Sequence, residues 1–166
     1  MDETTDHPLG ALAPYLDARH TSTIAVLVTV LRTGRQIEAW LGSTLASEDL
    51  DTSEFSALAS LLTSGPPHQR SAGELSTALV QTTGGTTKTI RRLEERGLVR
   101  RVVDPGDGRR ALVELTGDGY DLTVATLGLV MDAFDLEIGD LDEAERAELG
   151  LGLARLSVEL GDRLRR

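Results

Sequence analysis

The residues best suited to touch a ligand lie in one stretch, Thr83 to Arg92. At helical spacing Thr86, Ile90 and Leu93 fall on one side, and Gly84, Thr87, Lys88, Arg91 and Arg92 fall on the other. The outer side opens with small residues and carries three cations further on. Such a face suits a polyanion with readable edges. Hydroxyl and basic side chains reach base edges in the major groove of DNA, and a helix N-terminus suits phosphate. Lys88 is the only lysine in the chain. Gly84-Gly85 inside a helix costs about 1 kcal/mol per glycine relative to alanine. Close approach of backbone to DNA would explain the pair; so would tight packing on the preceding helix or a loose first turn.

A second candidate group follows a turn. Arg109 and Arg110 come after Asp104-Pro105-Gly106-Asp107-Gly108. A narrow minor groove attracts arginine, and Asp107 can hold one guanidinium in a bidentate pair. The plainer reading is an exposed hairpin with incidental charges.

The elements that must position these groups are legible around them. Ser71-Ala72-Gly73-Glu74 has the capping-box form and opens a short helix with Leu75, Ala78 and Leu79. A turn at Val80–Thr82 leads to the second helix, with Thr82 or Thr83 as its cap. Gly97 is a left-handed stop, with Leu98 making the contact after it. Leu98–Val103 and Ala111–Leu115 are β-rich runs on either side of the turn, so they predict a hairpin. Short helix, turn, helix and hairpin together predict a winged helix-turn-helix over residues 69–115.

Helices flank it. Residues 1–17 read as a flexible N-terminal tail. Ala18 to about Leu45 predicts a helix with two stripes: Ile24, Leu27, Val28, Leu31, Glu38, Leu41 and Leu45, apolar at most positions, on one, and the apolar Val26, Val30, Ile37 and Trp40 on the other. Two stripes need covering on two sides. Asp51–Glu54 starts the next helix, with Phe55, Leu58, Leu61 and Leu62, and Gly65-Pro66-Pro67 ends it. Thr116 begins a long helix to about Ile138, whose expected buried row is Tyr120, Val124, Leu127, Met131, Phe134 and Ile138. Asp142–Glu145 opens the last helix, with Leu149, Leu153, Leu156, Leu160 and Leu164 at steps of three and four. The predicted class is mainly α with a small β-hairpin wing. Residues 18–68 and 116–166 form a helical dimerisation region around the winged domain.

Composition agrees once it is partitioned. The chain carries a net charge of −10, which by itself argues against nucleic acid. Yet residues 69–110 hold nine basic and five acidic side chains, against eight basic and 22 acidic elsewhere. A phosphate footprint is local, so the local sign decides. With no cysteine, a disulfide framework, a thiol nucleophile and a thiol redox switch are excluded. His7, His20 and His68 lie too far apart for a metal site by spacing, and no cofactor is expected. No basic leader precedes an apolar run, and Ile24–Val28 is far shorter than the roughly 20 residues of a membrane span. The expectation is a cytoplasmic chain without membrane contact.

From Ser71 to Gly119 the chain resembles the multiple antibiotic resistance regulator (MarR) family. Leu93-Glu94-Glu95-Arg96-Gly97-Leu98-Val99, Asp104-Pro105-Gly106-Asp107-Gly108-Arg109-Arg110 and Leu115-Thr116-Gly117-Asp118-Gly119 carry the resemblance in that order. It implies a homodimer on double-stranded DNA at a near-palindromic operator. Repression and release by a small aromatic or anionic effector are common in the family. By position, Thr83, Thr87, Lys88 and Arg91 inherit base or phosphate contact. Arg109 or Arg110 inherits the wing contact, braced by Asp107. Arg91 departs from the acidic residue often present there. The family's effector pocket would draw on Arg32, Arg35, Trp40 and Tyr120; alternatively Trp40 packs at a dimer interface and the arginines are solvated.

Two other classes remain on the sequence alone. One is a helical dimeric module that binds a ligand or partner and keeps a vestigial winged domain, which the acidic total would suit. The other is an enzyme, for which Glu94-Glu95 lacks any neighbouring nucleophile.

Overall fold

The computed structural model describes residues 17–164, so all but the last residue of the expected tail lies outside it. The described chain is mostly helical with one small antiparallel sheet, the class its sequence predicts. The helix α1 spans Ala18–Leu45, followed by a 3-10 turn, Ala46–Glu48, and α2, Thr52–Leu62. Next come β1 (Gln69–Ser71), α3 (Ala72–Ala78), α4 (Thr83–Glu95), β2 (Val99–Asp104), β3 (Asp107–Leu115), α5 (Gly117–Glu137) and α6 (Glu143–Leu164). None of the described helices is long and apolar enough to cross a membrane.

Side-chain caps set most helix starts. Asp51 accepts from the Glu54 amide at 2.8 Å while Glu54 accepts from the Asp51 amide at 3.0 Å, closing a capping box on α2. Ser71 and Glu74 close the same box on α3. Glycine sets one stop: Gly97 has φ +72°, and the Leu98 amide donates to the Leu93 carbonyl at 2.9 Å.

The sheet order is β1-β3-β2. The β-rich runs and the turn between them predict only the β2–β3 hairpin. β1 is three residues long and pairs with β3 some forty positions away, Arg70 opposite Val113. So short a strand has no alternation to betray it; its partner makes it a strand.

The described chain divides into two compact units, which part between Thr123 and Val124. In the first, the core is aliphatic: Leu45, Leu58, Leu61, Leu75, Ile90, Leu93 and Val113 are essentially inaccessible. Burying each such side chain contributes about 1.5–3 kcal/mol. α5 enters that core through a glycine. A Cβ on Gly119 would stand 1.9 Å from the Leu98 carbonyl oxygen, so only glycine lets the helix sit against that backbone. Thr116 completes the joint: its hydroxyl donates to the Gly97 carbonyl and accepts from the Gly119 amide at 3.0 Å.

The buried face of α5 differs from the expected row. Its buried positions are Gly119, Thr123, Thr126 and Val130, whereas Tyr120, Val124 and Met131 are exposed and Leu127, Phe134 and Ile138 only partly covered. The apolar period favours the largest side chains, whereas close approach at Leu98 selects glycine at position 119.

In the second unit Asp142 and Glu145 close a capping box on α6. Arg146 then binds back to the end of α5, donating to the Leu141 carbonyl at 3.0 Å and the Ile138 carbonyl at 3.3 Å and pairing with Asp135 at 3.0 Å. Its guanidinium supplies donors to a helix terminus short of them. On α6, Leu149, Leu153 and Leu160 stay about half exposed. The Leu164 side chain lies outside the described ones.

Candidate nucleic-acid interface

α4 begins at Thr82, whose hydroxyl accepts from the Gly85 amide at 3.2 Å. Thr86, Thr89, Ile90 and Leu93 are buried, so the inward row gains Thr89, which the sequence reading lacked. Thr89 is tolerated inside because its hydroxyl donates to the Gly85 carbonyl at 3.3 Å. The turn before α4 is tied to α2: Gln81 donates to Ser53 Oγ at 2.7 Å and accepts from Ser76 Oγ at 2.7 Å. Val80 in that turn has φ +52°, a strained conformation for a β-branched residue, and is 86 % exposed.

Thr83, Gly84, Thr87, Lys88 and Arg91 share the solvent face of α4. A Cβ on Gly84 would meet nothing within 4 Å, and one on Gly85 would meet only Thr82 and Gln81. Packing on the preceding helix therefore does not explain the double glycine. Arg91 lies 3.5 Å from Glu95, with both side chains more than 60 % exposed. Such a pair is worth a few tenths of a kcal/mol.

Arg92 is a correction. Helical spacing put it with the outward cations, but its guanidinium turns to the start of α2. It pairs with Asp51 and lies 3.1 Å from Glu54. Arg96, one turn on, lies 3.5 Å from Glu54 and donates to the Asp49 carbonyl at 2.6 Å. Glu54 is buried, so this cluster joins two helices through a desolvated carboxylate. On the opposite flank Glu94 takes Arg101 of β2 at 3.1 Å.

The wing stands beside this helix. Asp104 accepts from the Gly106 amide at 2.8 Å and shapes its tip. Asp107 and Arg110 are exposed there, and the Arg109 side chain lies outside the described ones. At the base, buried Glu114 accepts from Gln69 and from Arg100 Nε at 2.8 Å. The Gln69 hydrogen bond first, then Arg100, holds the Glu114 carboxyl below its usual range despite burial. Glu74 is lowered likewise, chiefly by Ser71, with smaller help from Arg110 and Arg70.

The four residues proposed for an effector do not line one site. Arg32 and Arg35 line an open groove of about 430 Å³ along α1 with Val28, Leu31, Gln36 and Ala39. Trp40 is half-buried on α1 outside that lining, and Tyr120 packs its ring 5.3 Å from His68. Among the described residues no group of three or more His, Asp or Glu side chains could hold a metal ion.

Helix, tied turn, second helix and a three-stranded wing define a winged helix-turn-helix protein. Residues 48–110 match the model of the MarR family. Over that segment the chain is similar to regulators of the MarR family. The chain is 31 % identical over 97 residues to the HTH-type transcriptional regulator PecS of Dickeya dadantii, covering 58 % of each chain. It is 33 % identical over 104 residues to the HTH-type transcriptional repressor NicR of Pseudomonas putida, covering 60 % of this chain and 61 % of NicR. It thus spans about three fifths of the curated relatives it matches. Among solved structures, BpsR of Bordetella bronchiseptica superposes with a TM-score of 0.66 at 27 % identity, over 78 % of this chain and 91 % of that one. That structure concerns regulation of BpsR's DNA binding by 6-hydroxynicotinic acid.

Proposed function

We propose that this chain is a sequence-specific, DNA-binding transcriptional regulator that acts as a homodimeric repressor in the cytoplasm. The observation that carries this reading is the solvent face of α4. It offers Thr83, Gly84, Thr87, Lys88 and Arg91 in one stripe, and among the described residues Lys88 pairs with no carboxylate. Residues 69–115 form the DNA-binding domain, with α4 in the major groove and Asp107, Arg109 and Arg110 of the wing at the minor groove. Residues 18–68 and 116–166 supply dimerisation. Val26, Leu27 and Leu31 on α1 and Leu149, Leu153 and Leu160 on α6 support this, since each is about half exposed in the single chain. A dimer presents two α4 helices, which fits a near-palindromic operator.

A small aromatic or anionic effector releases the repressor. Arg32 and Arg35, set in an otherwise largely apolar groove, favour an anion there; Trp40 and Tyr120 are the aromatic candidates that the family resemblance supplies. BpsR supports the same logic in a relative.

Gel shifts on the DNA upstream of the chain's own gene test the reading. Specific binding that weakens steeply with salt is expected. Lys88→Ala should cost about 1–3 kcal/mol on that fragment and less on random duplex. No binding at low salt would refute the reading and favour a partner-binding module. Equal losses on both duplexes would make Lys88 a phosphate contact only.

A further inference from the structure

We infer that Asp51 and Glu54 hold Arg92 away from the DNA backbone, and so limit how much of this chain's affinity is independent of sequence. The inference rests on the DNA-binding reading above.

Arg92 lies one turn beyond Lys88 on α4, at the edge of the exposed stripe. A free guanidinium there would neutralise a phosphate on any duplex, and phosphate neutralisation supplies nearly all non-specific affinity. It is not free. Asp51 and Glu54 both take it, and the Glu54 side chain is only 8 % exposed, so salt screens that pair weakly. Glu54 cannot swing aside readily, because its other oxygen accepts from the Asp51 amide at 3.0 Å. The same carboxylate lies 3.5 Å from Arg96, which is separately anchored on the Asp49 carbonyl. Glu94 occupies Arg101 on the other flank. The two flanks of α4 are thus internally neutralised, and the stripe between them keeps its cations. A cation withheld from phosphate lowers affinity for every sequence alike. The base contacts of Thr87 and Lys88 then make up a larger share of what remains, which raises the specificity ratio.

The decisive variant is Asp51→Asn with Glu54→Gln. Asparagine still caps a helix and glutamine still completes the capping box, so the start of α2 survives while both charges go. Binding to the upstream fragment and to a random duplex is measured across a salt series, with thermal melts as the folding control. The slope of log affinity against log salt on random duplex is expected to steepen by about one. Random-duplex affinity at low salt should rise several-fold, and the ratio of specific to random binding should fall. Adding Arg92→Gln should return the slope to that of the unaltered chain. An unchanged slope in the double variant overturns the inference. So does a steeper slope that persists without Arg92, since general repulsion would then be the cause. Arg92→Gln alone decides the matter even if the double variant melts early. A withheld arginine leaves the slope unaltered, whereas a phosphate contact lowers it by about one. If the unaltered chain binds neither duplex, the DNA-binding reading itself has failed.

Discussion

At the residue scale, Gly119 and Gly84 are the same amino acid doing opposite work. Gly119 is required by the chain itself, since a methyl group there would collide with the Leu98 carbonyl. Gly119→Ala is therefore expected to destabilise by about 1–3 kcal/mol, despite alanine's better helix propensity. A urea midpoint equal to or above that of the unaltered chain would contradict the contact. Gly84 faces empty space, and nothing within the chain forbids a side chain. Arginines show a similar split. Arg91 is loosely paired and available, while Arg92, its neighbour, is held by two carboxylates. Residue type and spacing place both on one turn, but only the fold decides which is spent.

At the scale of elements, whatever is written within a few residues was legible. The capping boxes at Asp51–Glu54, Ser71–Glu74 and Asp142–Glu145 close as their spacing predicts, and Gly97 stops α4. The bounds of α1 were readable from its apolar period. What joins distant segments was not. The Gln69–Glu114 hydrogen bond and the Arg92–Glu54 pair connect positions with no local signature. β1 exists only because β3 passes beside it, and the need for glycine at 119 follows from one backbone contact. For α4 itself, Gly84→Ala separates structure from function. Helix propensity should raise stability by up to about 1 kcal/mol. DNA affinity should fall, because the added methyl stands on the face offered to the groove. Parallel melts and gel shifts check this, and unchanged affinity would mean that α4 does not approach DNA at Gly84.

For the whole molecule, stability and assembly belong together. α6 carries leucines at steps of three and four, yet Leu149, Leu153 and Leu160 remain about half exposed. A second copy of the chain is the proposed cover. Leu153→Glu should shift the mass measured by sedimentation velocity from dimer to monomer and weaken operator binding with it. A dimer that survives this charge would place the interface elsewhere. If the monomer lacks a stable fold of its own, the melting temperature also rises with protein concentration.

The scarcity of aromatic residues has a practical side. Trp40 is the only tryptophan, and it sits half-buried on α1, next in sequence to Ala39 of the proposed effector groove. As the chain's one tryptophan, it reports from a single position. The chain carries its own optical label: titration with a small molecule, a duplex or more of itself can be followed by one indole, without attaching a dye.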